Sequence, residues 1–250
     1  MKKCVLSIEH LQKNYHDKNG EIVAIKDVSF DVYDGEFLSI VGPSGCGKST
    51  LLSILAKIDK KSGGEIKYHS DNIILGYMLQ SDFLFPWRTI LENCLLGLEI
   101  NKTLDEKKKQ RVIDLLNTYG LGDFINKYPD SLSGGMKQRV ALIRTLAIDP
   151  DILLLDEAFS ALDFQTRSVL ADDVYKIIKS EGKTAIMVTH NLSEAITMSD
   201  RIIVLTKRPS VVKKIYNIKL TDKSTPINNR KCPEFNDYYD RIWRDLDVHL

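Results

Sequence analysis

The sequence predicts an α/β fold organised around a mostly parallel sheet, and three observations carry that expectation. An apolar run at residues 36–41 leads into a glycine-rich loop at 42–47, and a helical pattern follows from Lys48 through Leu51, Leu52, Leu55 and Ile58. Two further apolar runs, 152–155 and 184–188, flank a helical stretch at 164–181. Between them, residues 81–148 read as mostly helical, like an insertion into the sheet. Strands that alternate with helices are joined by crossover connections, which produce parallel sheets covered on their faces.

Taken in order, Val28, Phe30 and Val32 alternate with Ser29, Asp31 and Tyr33, the pattern of a half-buried strand. Asp34-Gly35 is a turn signal before the run at 36–41. In the helical middle, Leu104, Val112, Leu115, Leu116 and Tyr119 recur at helix spacing. Composition changes after Thr206. Residues 207–231 hold Lys207, Arg208, Lys213, Lys214, Lys219, Lys223, Arg230 and Lys231 against Asp222 alone. That charge run reads either as a solvated strand and linker or as a patch facing anionic lipid or a partner. Near the end, Phe235, Tyr238, Tyr239, Ile242 and Leu246 share one helical face, with Asp237–Arg241 and Asp240–Arg244 spaced as i,i+4 pairs. A helix docking on its own chain is the expectation. These shifts divide the chain at 206: a main domain 1–206 with 81–148 inserted, and an extension 207–250.

Composition narrows the function classes. Across 250 residues, 35 Lys+Arg against 34 Asp+Glu leave a formal net charge of +1, and 43% of residues are hydrophobic. That balance excludes a disordered chain and gives no nucleic-acid footprint. No apolar run reaches the roughly 18–20 residues that span a bilayer. The opening Met-Lys-Lys-Cys lacks the apolar stretch of a secretory leader. Cys4, Cys46, Cys94 and Cys232 are scattered without paired spacing, so neither zinc nor disulfides are indicated and a reducing compartment is expected.

Three motifs carry chemistry. Gly42-Pro43-Ser44-Gly45-Cys46-Gly47-Lys48-Ser49-Thr50 fits G-x-x-x-x-G-K-[ST]. Its glycines let consecutive backbone N–H groups turn toward phosphate oxygens, and the positive end of the following helix adds to the field. Lys48 is placed for the β- and γ-phosphates and the Ser49 hydroxyl for Mg²⁺. A thiol adduct on Cys46 is expected to be shielded by bound nucleotide. The run 152–155 ends in Asp156-Glu157, where open α/β sheets place ligand chemistry. Asp156 is expected to face the Mg²⁺ shell, and Glu157, one residue on, to polarise a water. Ser133-Gly134-Gly135 before a helix is a further N-terminal anion site. Each feature alone also fits a turn, a cap or a strand exit.

Their order is more specific. Leu132-Ser-Gly-Gly-Met-Lys-Gln-Arg139 closely resembles the signature motif of ATP-binding cassette (ABC) ATPases. The phosphate loop, Gln80, this signature, Asp156-Glu157, Ser160-Ala161-Leu162-Asp163 and His190 follow in that family's sequence over residues 4 to about 206. The resemblance implies a P-loop NTPase-type sheet with an antiparallel β region at the N-terminus and an inserted helical subdomain. It implies ATP and Mg²⁺ as ligands. Tyr15 matches the aromatic that stacks on adenine, and Gln80 the glutamine touching metal or attacking water. Glu157 matches the general base, His190 the switch histidine at the γ-phosphate, and Asp163 the loop communicating across a dimer. Ser133, Gly134 and Gly135 match residues that complete the opposite subunit's site. A second copy, transmembrane permease subunits and, indirectly, an extracytoplasmic solute-binding protein are the implied partners, with the chain on the inner face of the plasma membrane.

Phe85-Pro86-Trp87-Arg88-Thr89, the 161–167 segment and Lys207-Arg208-Pro209 resemble the nitrate, sulfonate and taurine group of importers, which includes carriers of thiamine precursors. In that group the segment around 83–93 lies near the permease. Two other readings compete. A soluble relative acting on nucleic acid or ribosomes is disfavoured by a single phosphate loop, the absence of sustained heptads and the near-zero net charge. A binding module without turnover is disfavoured by the joint presence of Glu157 and His190.

Overall fold

The computed structural model describes residues 3–17, 20–160 and 163–246; Ala161 and Leu162 lie outside them. In chain order the elements are β1 (Cys4–Asp17), β2 (Gly20–Tyr33), β3 (Phe37–Val41), α1 (Lys48–Leu55), β4 (Gly63–Tyr68), β5 (Leu75–Met78), α2 (Ile90–Ile100), α3 (Glu106–Thr118), α4 (Gly134–Ala147), β6 (Ile152–Asp156), α5 (Phe164–Ser180), β7 (Thr184–Val188), α6 (Leu192–Met198), β8 (Arg201–Leu205), β9 (Ser210–Asn217), α7 (Pro226–Asn229) and α8 (Glu234–Asp245). The described strands form one sheet in the order β4-β1-β2-β9-β8-β3-β7-β6-β5. β4, β1 and β2 pair antiparallel, whereas β8, β3, β7, β6 and β5 pair parallel. An α/β fold with an N-terminal antiparallel region is the result.

The sheet does not stop at Thr206, as the composition shift suggested. β9 lies between its two halves, parallel to β2 and antiparallel to β8. Lys213 and Lys214 leave the segment looking solvated, yet Ser210 and Tyr216 of the same strand are buried. The rest of the tail is tied down as well. Lys223 Nζ donates to Ser199 O at 2.7 Å and Asp200 Oδ1 at 2.8 Å. Burial alone would raise the Asp200 carboxyl, but Lys223, the Phe37 N–H and Lys179 pull it down to about 2.

Period-two alternation assigns each strand residue to a layer. Leu38, Ile40, Ile152, Leu154, Ile186 and Val188 face α1 and the antiparallel strands. Phe37, Leu153, Leu155, Ala185 and Met187 face α4 and α5 on the other side. Asp156 follows the parity of Ile152 and Leu154 and so points to the α1 side.

The middle segment begins its helices later than its composition suggests. Residues 81–89 are not helical; α2 starts at Ile90 behind a capping box in which Thr89 and Glu92 satisfy each other's backbone N–H groups. Leu104 precedes the cap Asp105 of α3 and is exposed, whereas Val112, Leu115 and Leu116 are buried against α2 and α4. α1 also ends early, at Leu55: Lys57 takes a φ of 59° and Ile58 turns out to solvent. Asp34-Gly35 does turn the chain, but β2 and β3 are not neighbours in the sheet.

α8 docks on its own chain. Phe235, Ile242 and Leu246 join Val41, Ile202, Val204 and Tyr216 in one apolar cluster, and Tyr238 and Tyr239 pack against its edge. The Asp237–Arg241 pair forms at 3.1 Å on the outer face. Ile242→Ala should therefore destabilise the chain by about 3 kcal/mol, as deletion of a fully buried aliphatic side chain does. Trp243, half-exposed and stacked on Tyr239, should cost about 1 kcal/mol on truncation to Ala. Equilibrium urea unfolding of the two variants measures the contrast.

Candidate functional site

β3, β7 and β6 stand side by side with carboxyl ends level, so the loops that leave them share one edge. The loop after β3 needs glycine at two turns: Gly45 has φ 73° and Gly47 φ 102°, a region costly for side-chain-bearing residues. Gly42 is required for space, since a Cβ there would sit 2.7 Å from Cys46 Sγ. A cleft of about 670 Å³ opens above this loop. Tyr15, Ser44, Gly45, Gly47, Lys48, Ser49, Thr50, Glu157 and His190 line it, so most of the expected nucleotide residues come together.

Lys48 is buried, and its Nζ donates to the carbonyls of Gly42 at 2.8 Å and Pro43 at 3.1 Å. The loop thus holds its cation in place beside the cleft floor. Ser49 Oγ donates to Asp156 Oδ1 at 2.9 Å, and Tyr77 OH donates to Asp156 Oδ2 at 3.1 Å. Burial raises the Asp156 carboxyl above the usual range, with both hydrogen bonds opposing it. Tyr77 carries no sequence signal for this role, because nothing local links it to a residue 79 positions away. Arg208, read from sequence as part of a charge run and of the Lys207-Arg208-Pro209 resemblance but not as a site residue, also reaches the cleft.

Glu157 leaves β6 with a φ of 45°, while its N–H donates to Val188 O at 2.9 Å. This left-handed turn aims its carboxylate across at His190, whose Nδ1 lies 3.2 Å from Glu157 Oε2. Tyr15 borders the cleft with its hydroxyl bonded to Asp59 at 3.0 Å and Lys13 Nζ 4.5 Å from its ring centroid. Gln80 does not line the cleft; its Nε2 donates to Ser160 Oγ at 3.1 Å.

Cys46 corrects an expectation. Its side chain turns into the apolar core, and burial pushes its thiol up despite nearby Lys48. A thiolate is scarce there, and a reagent has no path in. Ser133, Gly134 and Gly135 stand apart from the Lys48 cleft. Ser133 caps α4 by accepting from Met136 N, and Gly135 packs near Thr166 of α5 beside a separate surface groove. Asp163 caps α5 by accepting from the N–H groups of Gln165 and Thr166; the Thr166 side chain foremost, with these N–H groups, holds its carboxyl low.

The donor set suits a small hard cation. Ser49 hydroxyl and Asp156 carboxylate offer adjacent oxygens, and Mg²⁺ characteristically takes only one or two protein ligands together with substrate phosphates. No group of three His, Cys, Asp or Glu side chains that could hold a metal ion occurs among the described residues. No described helix is long and apolar enough to cross a membrane.

The sequence profile described as ABC transporter matches residues 25–160. The chain belongs to the ABC transporter family. An uncharacterized ABC transporter ATP-binding protein of Bacillus subtilis is 44% identical, aligned over 97% of this chain and 95% of its own. A taurine import ATP-binding protein of Roseobacter denitrificans is 41% identical over 92% of this chain and 89% of its own. Relatives named for aliphatic sulfonate and nitrate import also match. Among solved structures, a dimeric ATP-binding cassette in a post-hydrolysis state with ADP and Pi superposes with a TM-score of 0.73, at 32% identity, over 86% of this chain and 99% of that one. This ABC protein is therefore an ATP-binding subunit and an ATPase, with ATP as its nucleotide and Mg²⁺ as the accompanying ion. Alkylation at neutral pH should leave its Cys46 unmodified with or without MgATP and modify it only after denaturation, as read by peptide mass; labelling that MgATP suppresses would place the thiol in the cleft.

Proposed function

We propose that this ABC ATPase drives an importer of a small solute, a taurine-, sulfonate- or nitrate-like anion or a thiamine-precursor pyrimidine. The observation that carries the catalytic part is the Glu157–His190 pair, 3.2 Å apart beside Lys48 and the Ser49–Asp156 bond. Loop N–H groups of residues 44–50 and the Lys48 ammonium hold the β- and γ-phosphates, and Tyr15 stacks on adenine. Ser49 and Asp156 would hold Mg²⁺, which when bound would neutralise charge on the phosphate oxygens; Gln80, bonded to Ser160, would approach it only by moving. Glu157 takes a proton from the attacking water, whose oxygen bonds to the γ-phosphorus as the bond to the β-γ bridging oxygen breaks. His190 donates to the γ-phosphate oxygens as their charge rises. The products are ADP and phosphate.

The separation of Ser133, Gly134 and Gly135 from this cleft supports a dimer of two such chains, each signature closing the other's nucleotide site. Asp163, one helical cap away from Gly135's neighbour Thr166, lies where the two copies exchange information. Permease subunits are the membrane partner, and a solute-binding protein delivers cargo outside. The chain thus works on the cytoplasmic face, and cargo choice belongs to its partners.

The permease-facing segment is 83–87. Phe83 and Trp87 are exposed at 61% and 71%, and Trp87 packs on Phe85 with ring centroids 5.0 Å apart. Aromatic anchors of this kind dominate interface energies, at about 2 kcal/mol or more each when desolvated.

Glu157→Gln should lower ATP hydrolysis by at least about 100-fold, the scale of a lost general base, while nucleotide remains bound. Phosphate release and nucleotide retention on a filter measure both, and hydrolysis at the parent rate would refute the assignment. Trp87→Ala should lower transport per ATP hydrolysed in vesicles reconstituted with the permease, with hydrolysis by the isolated subunit unchanged. Neutralising Lys213 and Lys214 should alter only the salt dependence; loss of coupling there would move the interface to the tail.

A further inference from the structure

The groups that hold Glu157 and His190 in place from behind belong to α5 and α6. Ser160 N donates to Glu157 O at 3.0 Å, closing the turn that carries Glu157. Arg167, one turn into α5, donates from Nη2 to Ser160 O at 3.3 Å. Its Nε lies 3.9 Å from Glu194 Oε1. Glu194, in the first turn of α6, is buried; its Oε2 accepts from Thr189 Oγ1 at 2.8 Å and its Oε1 from Asn191 Nδ2 at 3.1 Å. Thr189 and Asn191 are the two neighbours of His190. Asn191 N in turn donates to Thr189 Oγ1 at 3.0 Å, so the histidine is fixed on both sides by one carboxylate. On the far side of Ser160, its Oγ accepts from Gln80 Nε2 at 3.1 Å.

We propose that Arg167 and Glu194 are positioning residues that bridge the Ser160 turn to the His190 loop, and so set the Glu157–His190 separation and tie it to Gln80. Neither side chain faces the phosphate loop. Both line a second, open pocket of about 210 Å³ together with Phe164, Ile227 and Arg230. Burial makes the bridge effective, because Arg167 and Glu194 are respectively 23% and 7% exposed in their side chains and the attraction between them is weakly screened. Burial also raises the Glu194 carboxyl, while Thr189 and Arg167 favour its charged form. The guanidinium hydrogen-bonds the Ser160 carbonyl through Nη2 while its charge faces the Glu194 carboxylate 3.9 Å away. When Gln80 is displaced, Ser160 and the Glu157 turn move with it, and the bridge carries that shift to His190.

The proposal rests on Glu157 and His190 acting at the γ-phosphate, and its test separates the two. Arg167→Met, Glu194→Gln and their combination are prepared in the full chain, with His190→Ala alongside. Each single variant should lower kcat about tenfold at saturating MgATP, as a modest misplacement of catalytic groups does. Nucleotide Kd should stay within about twofold of the parent. The double variant should lose no more than either single one, because one bridge is broken once. Losses that multiply to about a hundredfold, or a Kd that weakens in step with kcat, would overturn the bridge. Arg167→Lys keeps a charge opposite Glu194 but loses the fork, so it should fold and recover only part of the rate; the full parent rate would also overturn it. If His190→Ala hydrolyses ATP normally, the catalytic assignment itself fails, whatever the bridge variants do.

Discussion

Ile40 pairs with Val188, and Val188 pairs in turn with Asp156, so β3, β7 and β6 end level with one another. Parallel register of this kind fixes which side chains of each strand face each layer, and a slip of one residue would exchange the layers. Asp156 then would point among Leu142, Val174 and Met187 rather than toward Ser49. The Ser49–Asp156 hydrogen bond at 2.9 Å joins two elements separated by more than a hundred residues, and it exists only in this register. Residues buried in both layers hold the register, since all of β3, β6 and β7 is buried. A catalytic edge is thereby set by hydrophobic contacts that never touch nucleotide.

On that edge, local backbone strain does what the strand alternation does not. Continuing the strand would turn the Glu157 side chain to the layer opposite Asp156. Its φ of 45° reverses that direction and brings the carboxylate to His190. A side-chain-bearing residue held in this region costs of order 1–3 kcal/mol, so surrounding contacts must enforce it. The Val188 carbonyl accepting from Glu157 N and the Ser160 N–H donating to Glu157 O are the contacts that do so. Lys48 shows the complementary principle. Buried ammonium groups require acceptors, and the carbonyls of Gly42 and Pro43 supply them from the same loop that faces phosphate.

What the sequence made legible was local. The phosphate loop, the Asp156-Glu157 exit and the Ser133 cap each consist of neighbours in the chain, so spacing alone exposes them. The runs 152–155 and 184–188 read correctly because buried parallel strands are continuously apolar. β9 was illegible for the opposite reason: the exposed run Lys213-Lys214-Ile215 separates its buried ends Ser210 and Tyr216, and its place between β2 and β8 is a long-range pairing. Tyr77, Arg208 and Glu194 were missed on the same ground, each reaching the site through folding rather than through a motif. Cys46 misled because membership of the phosphate loop says nothing of side-chain direction, and its thiol packs into the core.

The exposed aromatic segment is rigidly held. Asn93 is fully buried, and its amide accepts from Phe85 N while donating to the carbonyls of Phe85, Arg88 and Thr89. Arg144 of α4 donates to the carbonyls of Asp82 and Phe83. The non-helical stretch 81–89 is therefore pinned at both ends to helices α2 and α4, although Phe83 and Trp87 face solvent. A segment already ordered loses little conformational entropy when a partner covers it, which concentrates binding energy in the aromatic contacts. Pinning also means that displacement is shared rather than absorbed. Gln138 of α4 donates to the Gln80 carbonyl at 3.4 Å, and Gln80 reaches Ser160, whose N–H closes the Glu157 turn, so hydrogen bonds link the helical layer to that turn.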